Sequence, residues 1–162
     1  MHCRPAAPAD VEAIARIYNQ GIADRVATFE TEARSPEQVG AWLDKRIPVV
    51  AVEDAGAVIA YAAAFPYRER PCYAGVREFS VYVAREHRGR GAGNLAIEGL
   101  KRAAAEDGAW KLVSRVFVEN QPSRRMLARA GFREVGIYEK HGKLDGAWRD
   151  VVIVEHLIAG NL

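Results

Sequence analysis

Cysteine is scarce: Cys3 and Cys72 are the only two among 162 residues. Two thiols cannot build a disulfide framework, and no second ligand cluster turns them into a zinc site. An excess of one charge is also lacking, since 23 Lys and Arg face 21 Asp and Glu for a formal charge of +2. That balance argues against general binding to nucleic acid or to an acidic membrane surface, both of which need a strongly basic face. No apolar run is long enough to span a bilayer; the longest uncharged stretch beside a strand pattern runs from Ala55 to Tyr67. Arg4, Asp10 and Glu12 stand where a secretory signal would be apolar, so a cytoplasmic protein is expected. No repeat, low-complexity tract or Gly/Ser/Pro-rich linker divides the chain, and residues 1–162 are expected to form one domain. What is present is ordinary globular composition, 49% hydrophobic and 27% charged. A chain of this size buries about 70% of its unfolded surface and needs no metal or disulfide to fold.

Periodicity gives the elements. Asp10 is placed to cap a helix whose apolar positions Val11, Ile14, Ile17, Tyr18 and Ile22 follow helical spacing. Ser35-Pro36-Glu37-Gln38 starts a second helix, with Ser as cap, Pro in the first turn and Gln completing a capping box. Val39, Trp42 and Leu43 then face inward, and the helix ends before Pro48. Extended runs follow at Val49–Glu53, Val58–Phe65 and Val76–Val83, the first two joined at Asp54-Ala55-Gly56 as a hairpin. A helix is expected from about Asn94 to Asp107, closed by Gly108, then a strand from Leu112 to Val118 and a helix from about Pro122 to Ala130, closed by Gly131. Strands at Phe132–Glu139 and Trp148–His156, separated by Gly142 to Gly146, complete the chain. The order ααβββαβαββ, with a short strand possible at residues 2–5, indicates an α+β or mixed α/β sheet with helices packed on it.

Between the run Phe79–Val83 and the third helix lies Arg88-Gly89-Arg90-Gly91-Ala92-Gly93. Glycines let backbone N–H groups converge on one spot, and the helix dipole there favours an anion. A plain turn with solvated arginines is the competing reading of this string. The spacing is not the dinucleotide fingerprint, and a Walker loop fails for want of Gly-Lys-Ser/Thr. RNA or DNA binding through the arginines ranks last, given the charge balance.

Taken together, Ser80-Val81-Tyr82-Val83, Arg88-x-x-Gly91-x-Gly93 and Asn120-x-x-Ser123 with a terminal Gly131-Phe132 resemble the GCN5-related N-acetyltransferase superfamily. The resemblance implies that family's fold: a central, mostly antiparallel twisted sheet, splayed at the cofactor site and flanked by about four helices. It implies acetyl-coenzyme A as co-substrate and no metal. Carried over, Val81, Tyr82 and Val83 meet the acetyl-pantetheine arm. Arg88, Gly89, Arg90, Gly91, Ala92, Gly93 and Asn94 meet the pyrophosphate, and Asn120 with Ser123 lies on the cofactor's other side. Many members place a Tyr seven residues after this Asn as the acid that protonates the leaving thiolate. Leu127 stands there instead, leaving Tyr138 or solvent as candidates, and a thiol of pKa near 8.5 is a fair leaving group unaided.

Glu78 is a carboxylate in mid-strand, sharing a face with Ser80 opposite the stripe Phe79/Val81/Val83. An ammonium ion must lose a proton before its nitrogen can attack a thioester, and a fixed carboxylate, directly or through one water, can take it. Apolar neighbours would raise such a carboxylate's pKa toward the working range. The competing reading is a structural ion pair with Arg68, Arg70 or Arg77. Arg68 and Arg70 in turn suit an acidic substrate, because guanidinium holds carboxylate, phosphinate or arsinate in a fork; a solvated loop is the alternative.

Ile17–Glu32, Tyr67–Tyr73, Glu78–Val83 and Tyr138–Leu157 resemble the phosphinothricin and methionine sulfoximine acetyltransferase family, and the last segment is most similar to its arsinothricin branch. That resemblance implies acetylation of the α-amine of a small, toxic acidic amino-acid analogue, conferring resistance by detoxification. It implies a substrate site of Phe29, Arg68, Glu69, Arg70, Tyr73, Glu78, Phe79 and Ser80. It also implies a homodimer in which Lys140 and His141 reach a neighbour's pocket. Acetylation of another amine or a peptide N-terminus, and a non-catalytic coenzyme A-binding module, stay open as alternatives.

Overall fold

The computed structural model describes residues 1–162. Seven strands form one continuous sheet in the order β1-β2-β3-β4-β5-β7-β6. They are β1 (His2–Pro5), β2 (Val49–Asp54), β3 (Ala57–Pro66), β4 (Val76–Val83), β5 (Lys111–Phe117), β6 (Arg133–Leu144) and β7 (Ala147–Leu157). Every pairing is antiparallel except β4 with β5. Helices α1 (Val11–Asp24) and α2 (Pro36–Asp44) pack on one face, α3 (Ala92–Glu106) and α4 (Gln121–Arg129) on the other.

The alternation of strand side chains makes two cores. On β3, Ala60, Ala62 and Ala64 join Ala96, Ile97, Leu100 and Leu127 of α3 and α4, whereas Tyr61 and Ala63 join Ile14, Ile17, Tyr18 and Val39 of α1 and α2. The small residues on β3 let α3 approach closely. On β4 the same alternation sends Phe79, Val81 and Val83 toward α3 and Tyr82 toward α1.

The capping box of α2 forms as the sequence indicates: Ser35 Oγ accepts from the Gln38 N–H at 3.2 Å, and Gln38 Oε1 from the Ser35 N–H at 2.9 Å. Ala55 and Gly56, both at positive φ, make the two-residue turn of the β2–β3 hairpin. Asp10 differs from expectation. Its side chain does not cap α1; it accepts from the Ala7 N–H at 2.7 Å and from Arg4 at 2.7 and 3.0 Å, closing a short 3-10 turn ahead of the helix. α3 begins two residues earlier than periodicity suggests, because Gly91, not a polar side chain, occupies its N-cap. The last two strands are longer than expected. Gly142, Lys143 and Leu144 continue β6 after a bulge in which Lys140 takes a φ of 49°, so the connection shrinks to Asp145-Gly146.

Candidate functional site

β4 and β5 pair over only three positions, Val76↔Lys111, Arg77↔Leu112 and Glu78↔Val113. Past Glu78 the strands part, with Ser114 Oγ donating to the Phe79 carbonyl at 2.8 Å across the opening. From Phe79 onward that edge of β4 therefore has no strand partner, and backbone polar groups along it face a cavity of about 920 Å³. Val81, Tyr82, Val83, Gly89, Gly91, Ala92, Gly93, Asn94, Asn120 and Ser123 all line it.

One end of this cavity is built for an anion. The N-terminus of α3 points at it with no side-chain cap and no acidic residue in its first turn, so the free N–H groups and the dipole are uncompensated by the protein. Gly89 and Gly91 sit at φ of +75° and +88°, a conformation that favours glycine. At Gly93 a Cβ would come 2.7 Å from Met126 Sδ and 3.3 Å from Val83, so glycine permits α4 and β4 to close on the helix start. Arg88 lines the cavity and is held by Asp24 at 2.7 Å. Burial alone would raise the Asp24 pKa, but its bonds from Arg85 and Arg88 outweigh that and hold the carboxyl below its ordinary value. Arg90 turns away, to His87 Nδ1 at 2.9 Å and Asp54 at 3.4 Å, and does not line the cavity. Two cations that sequence reasoning missed, Arg125 and Arg129 one turn apart on α4, do line it. The donor set fits a long, multiply anionic ligand such as acetyl-coenzyme A.

Asn120 has two structural tasks besides facing the cavity. Its Oδ1 accepts from the Ser123 N–H at 3.3 Å, capping α4, and its Nδ2 donates to the Val26 carbonyl at 3.2 Å, tying the loop after α1 to the cavity wall. Leu127 is buried in that wall and offers no proton. Tyr138 is exposed on β6, its ring 5.0 Å from that of His141, and lines neither cavity. The phenol that does face the site is Tyr82, whose pKa burial pushes well up, with the neighbouring Tyr18 adding to the effect.

A second cavity of about 470 Å³ joins the first, sharing Ala27, Phe79, Ser80, Tyr82, Ser114 and Arg115 with it. Its aromatic walls are Tyr18, Phe29, Trp42, Phe65 and Phe117. Phe29 packs edge-on against Phe117 at 4.9 Å and occupies the space a Cβ on Gly142 would need. Glu78 lies here, and its surroundings differ from the apolar ones expected: Arg115 Nη2 donates to both its oxygens, at 2.9 and 2.8 Å. The parallel register explains the contact. Glu78 pairs with Val113, and Arg115 is the next β5 residue on the same face. Of the partners expected from sequence, Arg77 pairs with Asp107 at 2.9 Å and Arg68 lies over the Tyr67 ring at 5.0 Å, while Arg70 makes no ion pair.

Arg68, Glu69, Arg70 and Tyr73 lie outside both cavities of their own chain, on the connection between β3 and β4. Lys140 is exposed, fixed only through its backbone N–H to Asp150 at 2.7 Å. His141 lines neither cavity of its own chain but touches a residue that lines both, its Nε2 accepting from Arg115 Nη1 at 3.2 Å. The cations that line the second cavity are Arg115 and Arg34, neither distinguished in the sequence by any local motif.

Comparison with known proteins agrees with this geometry. The Acetyltransferase (GNAT) family matches residues 15–132. A phosphinothricin N-acetyltransferase of Streptomyces coelicolor is 33% identical over 94% of this chain and 93% of its own length. An L-methionine sulfoximine/L-methionine sulfone acetyltransferase of Pseudomonas aeruginosa is 29% identical, covering 94% and 91%. A GNAT superfamily phosphinothricin acetyltransferase from Sinorhizobium meliloti, crystallised with acetyl-CoA, superposes with a TM-score of 0.87 at 26% identity, covering 96% of this chain and 86% of that one.

Proposed function

The chain belongs to the GNAT acetyltransferase family, and from that premise we propose that it acetylates the α-amine of a small acidic amino-acid analogue of the phosphinothricin, arsinothricin or methionine sulfoximine type. The observation that carries this reading is the placement of Glu78 beside Arg115 in a cavity that opens onto the cleft of the splayed strands. One acid and one guanidinium meet at the junction of the two chambers, where an amine and a thioester would be brought together.

Acetyl-coenzyme A supplies an activated acyl group. Val81 to Val83 hydrogen-bond its arm through the free edge of β4, and the start of α3 with Gly89 and Gly91 holds its pyrophosphate. Arg125 and Arg129 add charge to the same wall. Glu78 accepts a proton from the acceptor's ammonium, directly or through one water, and the freed nitrogen attacks the thioester carbonyl. Backbone N–H groups of β4 stabilise the oxygen of the tetrahedral intermediate. As the tetrahedral intermediate collapses, the nitrogen loses its second proton to solvent and the C–S bond breaks; because Leu127 carries no proton, the sulfur leaves as thiolate and is protonated by solvent, an acceptable route for a thiol of pKa near 8.5. Acetylation removes the positive charge by which such analogues imitate an amino acid, which is the chemical basis of a detoxifying, resistance-conferring role in the cytoplasm.

A homodimer belongs to the same proposal. Val135, Ile137 and Tyr138 on β6 and Trp148 and Leu157 on β7 are exposed large hydrophobics on one ribbon at the sheet's edge, which favours cover by a second copy. Arg68, Arg70 and Tyr73, free of their own chain's cavities, are then available to a neighbour's. The test is thiol release from acetyl-coenzyme A across phosphinothricin, arsinothricin, methionine sulfoximine, glutamate and spermidine. Release with one or more of the analogues and none with spermidine is expected; release with spermidine alone, or with none of the panel, contradicts the reading.

A further inference from the structure

The acceptor cavity holds a carboxylate and a guanidinium in direct contact. Glu78 takes both its bonds from Nη2 of Arg115, and the guanidinium's other terminal nitrogen is spent on His141. Arg115 is firmly placed. Its backbone is locked in the β5–β7 ladder opposite Ile153, and His141 steadies the head group from β6. It also lines both chambers, so it stands where the acceptor's amine must come to be acetylated.

We propose that Arg115 binds the α-carboxylate of the acceptor, so that Glu78 and Arg115 form a socket for the zwitterionic head of an α-amino acid. This rests on the reading of the chain as an amino-acid N-acetyltransferase. In an α-amino acid the nitrogen and the carboxylate are separated by a single carbon. An amine within reach of Glu78 therefore brings its carboxylate against whatever borders Glu78, and that neighbour is Arg115 at 2.8 Å.

The charge balance follows the same logic. With the acceptor bound, the ammonium takes Glu78 and the carboxylate takes Arg115, so each charge that gives up its partner gains another. An amine without the carboxylate would compete for Glu78 and leave the guanidinium to His141 and solvent. Discrimination then comes from the charge-assisted contact that the α-carboxylate adds. Arg34, the cavity's other cation, has Glu30 as its nearest acid at 3.4 Å and remains for the acceptor's distal group.

The test compares kcat/KM for phosphinothricin with that for (3-aminopropyl)methylphosphinic acid, the same molecule without its α-carboxylate, in the wild type, Arg115→Met and Arg115→Lys. Methionine sulfoximine, which keeps the α-carboxylate and lacks the distal acid, is the third substrate. A melting curve and an acetyl-coenzyme A titration accompany each variant. In Arg115→Met the preference for phosphinothricin over its decarboxylated form is expected to fall about 10- to 100-fold, chiefly through KM, and methionine sulfoximine is expected to weaken by a similar factor. Arg115→Lys, which keeps the charge and loses the fork, is expected to lie between, and it carries the test if the methionine variant does not fold. An unchanged preference in both variants overturns the proposal, because a residue that only positions Glu78 would lower both substrates equally. A wild type that binds acetyl-coenzyme A and acetylates none of the three overturns the proposed function, and this inference with it.

Discussion

Glu78→Gln separates proton removal from every other duty of the site. The substitution keeps shape and planarity and removes the charge that takes the proton, so the loss in turnover is that of a general base, about 10²- to 10⁴-fold. The structure limits the collateral cost. Glu78 and Arg115 are 37% and 44% exposed in their side chains, so solvent compensates much of what their pairing supplies, and the stability change is expected to stay within about 1 kcal/mol. At this chain length that corresponds to a melting shift of about 2–4 °C. Glu78 lines only the acceptor chamber, so affinity for acetyl-coenzyme A, measured by titration calorimetry, is expected to match the wild type within about threefold. Turnover is read by thiol release at saturating acceptor. Turnover within threefold of wild type, in a variant that melts and binds normally, would refute the assignment of Glu78 as base.

Three other substitutions probe the framework. Gly91→Ala forces a side chain into a φ of +88° at the N-cap of α3 and is expected to cost about 1–2 kcal/mol, with weaker acetyl-coenzyme A binding and little change in acceptor KM. Gly21→Ala places a Cβ 2.6 Å from the Tyr82 ring, which the Tyr18 and Tyr61 rings prevent from yielding; a loss of about 1–3 kcal/mol in chemical denaturation is expected. Asp10→Asn removes the buried carboxylate that takes bonds from Arg4 and the Ala7 N–H, at an expected cost of about 1.5–3 kcal/mol at neutral pH. Arg4 holds the Asp10 carboxyl below its ordinary value, so its contribution is fully present above the unfolded-state pKa and fades as pH falls through the folded one. The gap in stability between wild type and Asp10→Asn should therefore narrow below about pH 4; a constant gap down to the acid transition would exclude the ion pair as its source.

Much of this was legible in the sequence wherever a local signal determined the outcome. Ser35 and Gln38 marked the start of α2, alternation bounded β4, and the glycines after Arg88 marked the anion end of the cleft. Asp10 misled because a cap and a capping-box acid have the same composition, and the contact with Arg4 that decides between them lies in another element. Gly142 suggested a turn, yet it is small because Phe29 packs where its side chain would be. The acceptor chamber was the least legible part. Arg115, Arg34, Trp42 and Phe65 converge from β5, the loop before α2, α2 and β3. Only the β4–β5 register brings Arg115 to Glu78, and register over three residues leaves no mark in a local pattern. The Arg68–Tyr73 segment shows the reverse, a charged string of suggestive composition that lies outside its own chain's cavities.

The most direct measurement incubates the protein with acetyl-coenzyme A and phosphinothricin and locates the acetyl group in the product by NMR. The expected result is an amide on the α-nitrogen formed in step with free coenzyme A. Coenzyme A released with the amino acid unmodified, or no release from protein that binds acetyl-coenzyme A, would contradict the assignment of this site to acetyl transfer onto an amino-acid analogue.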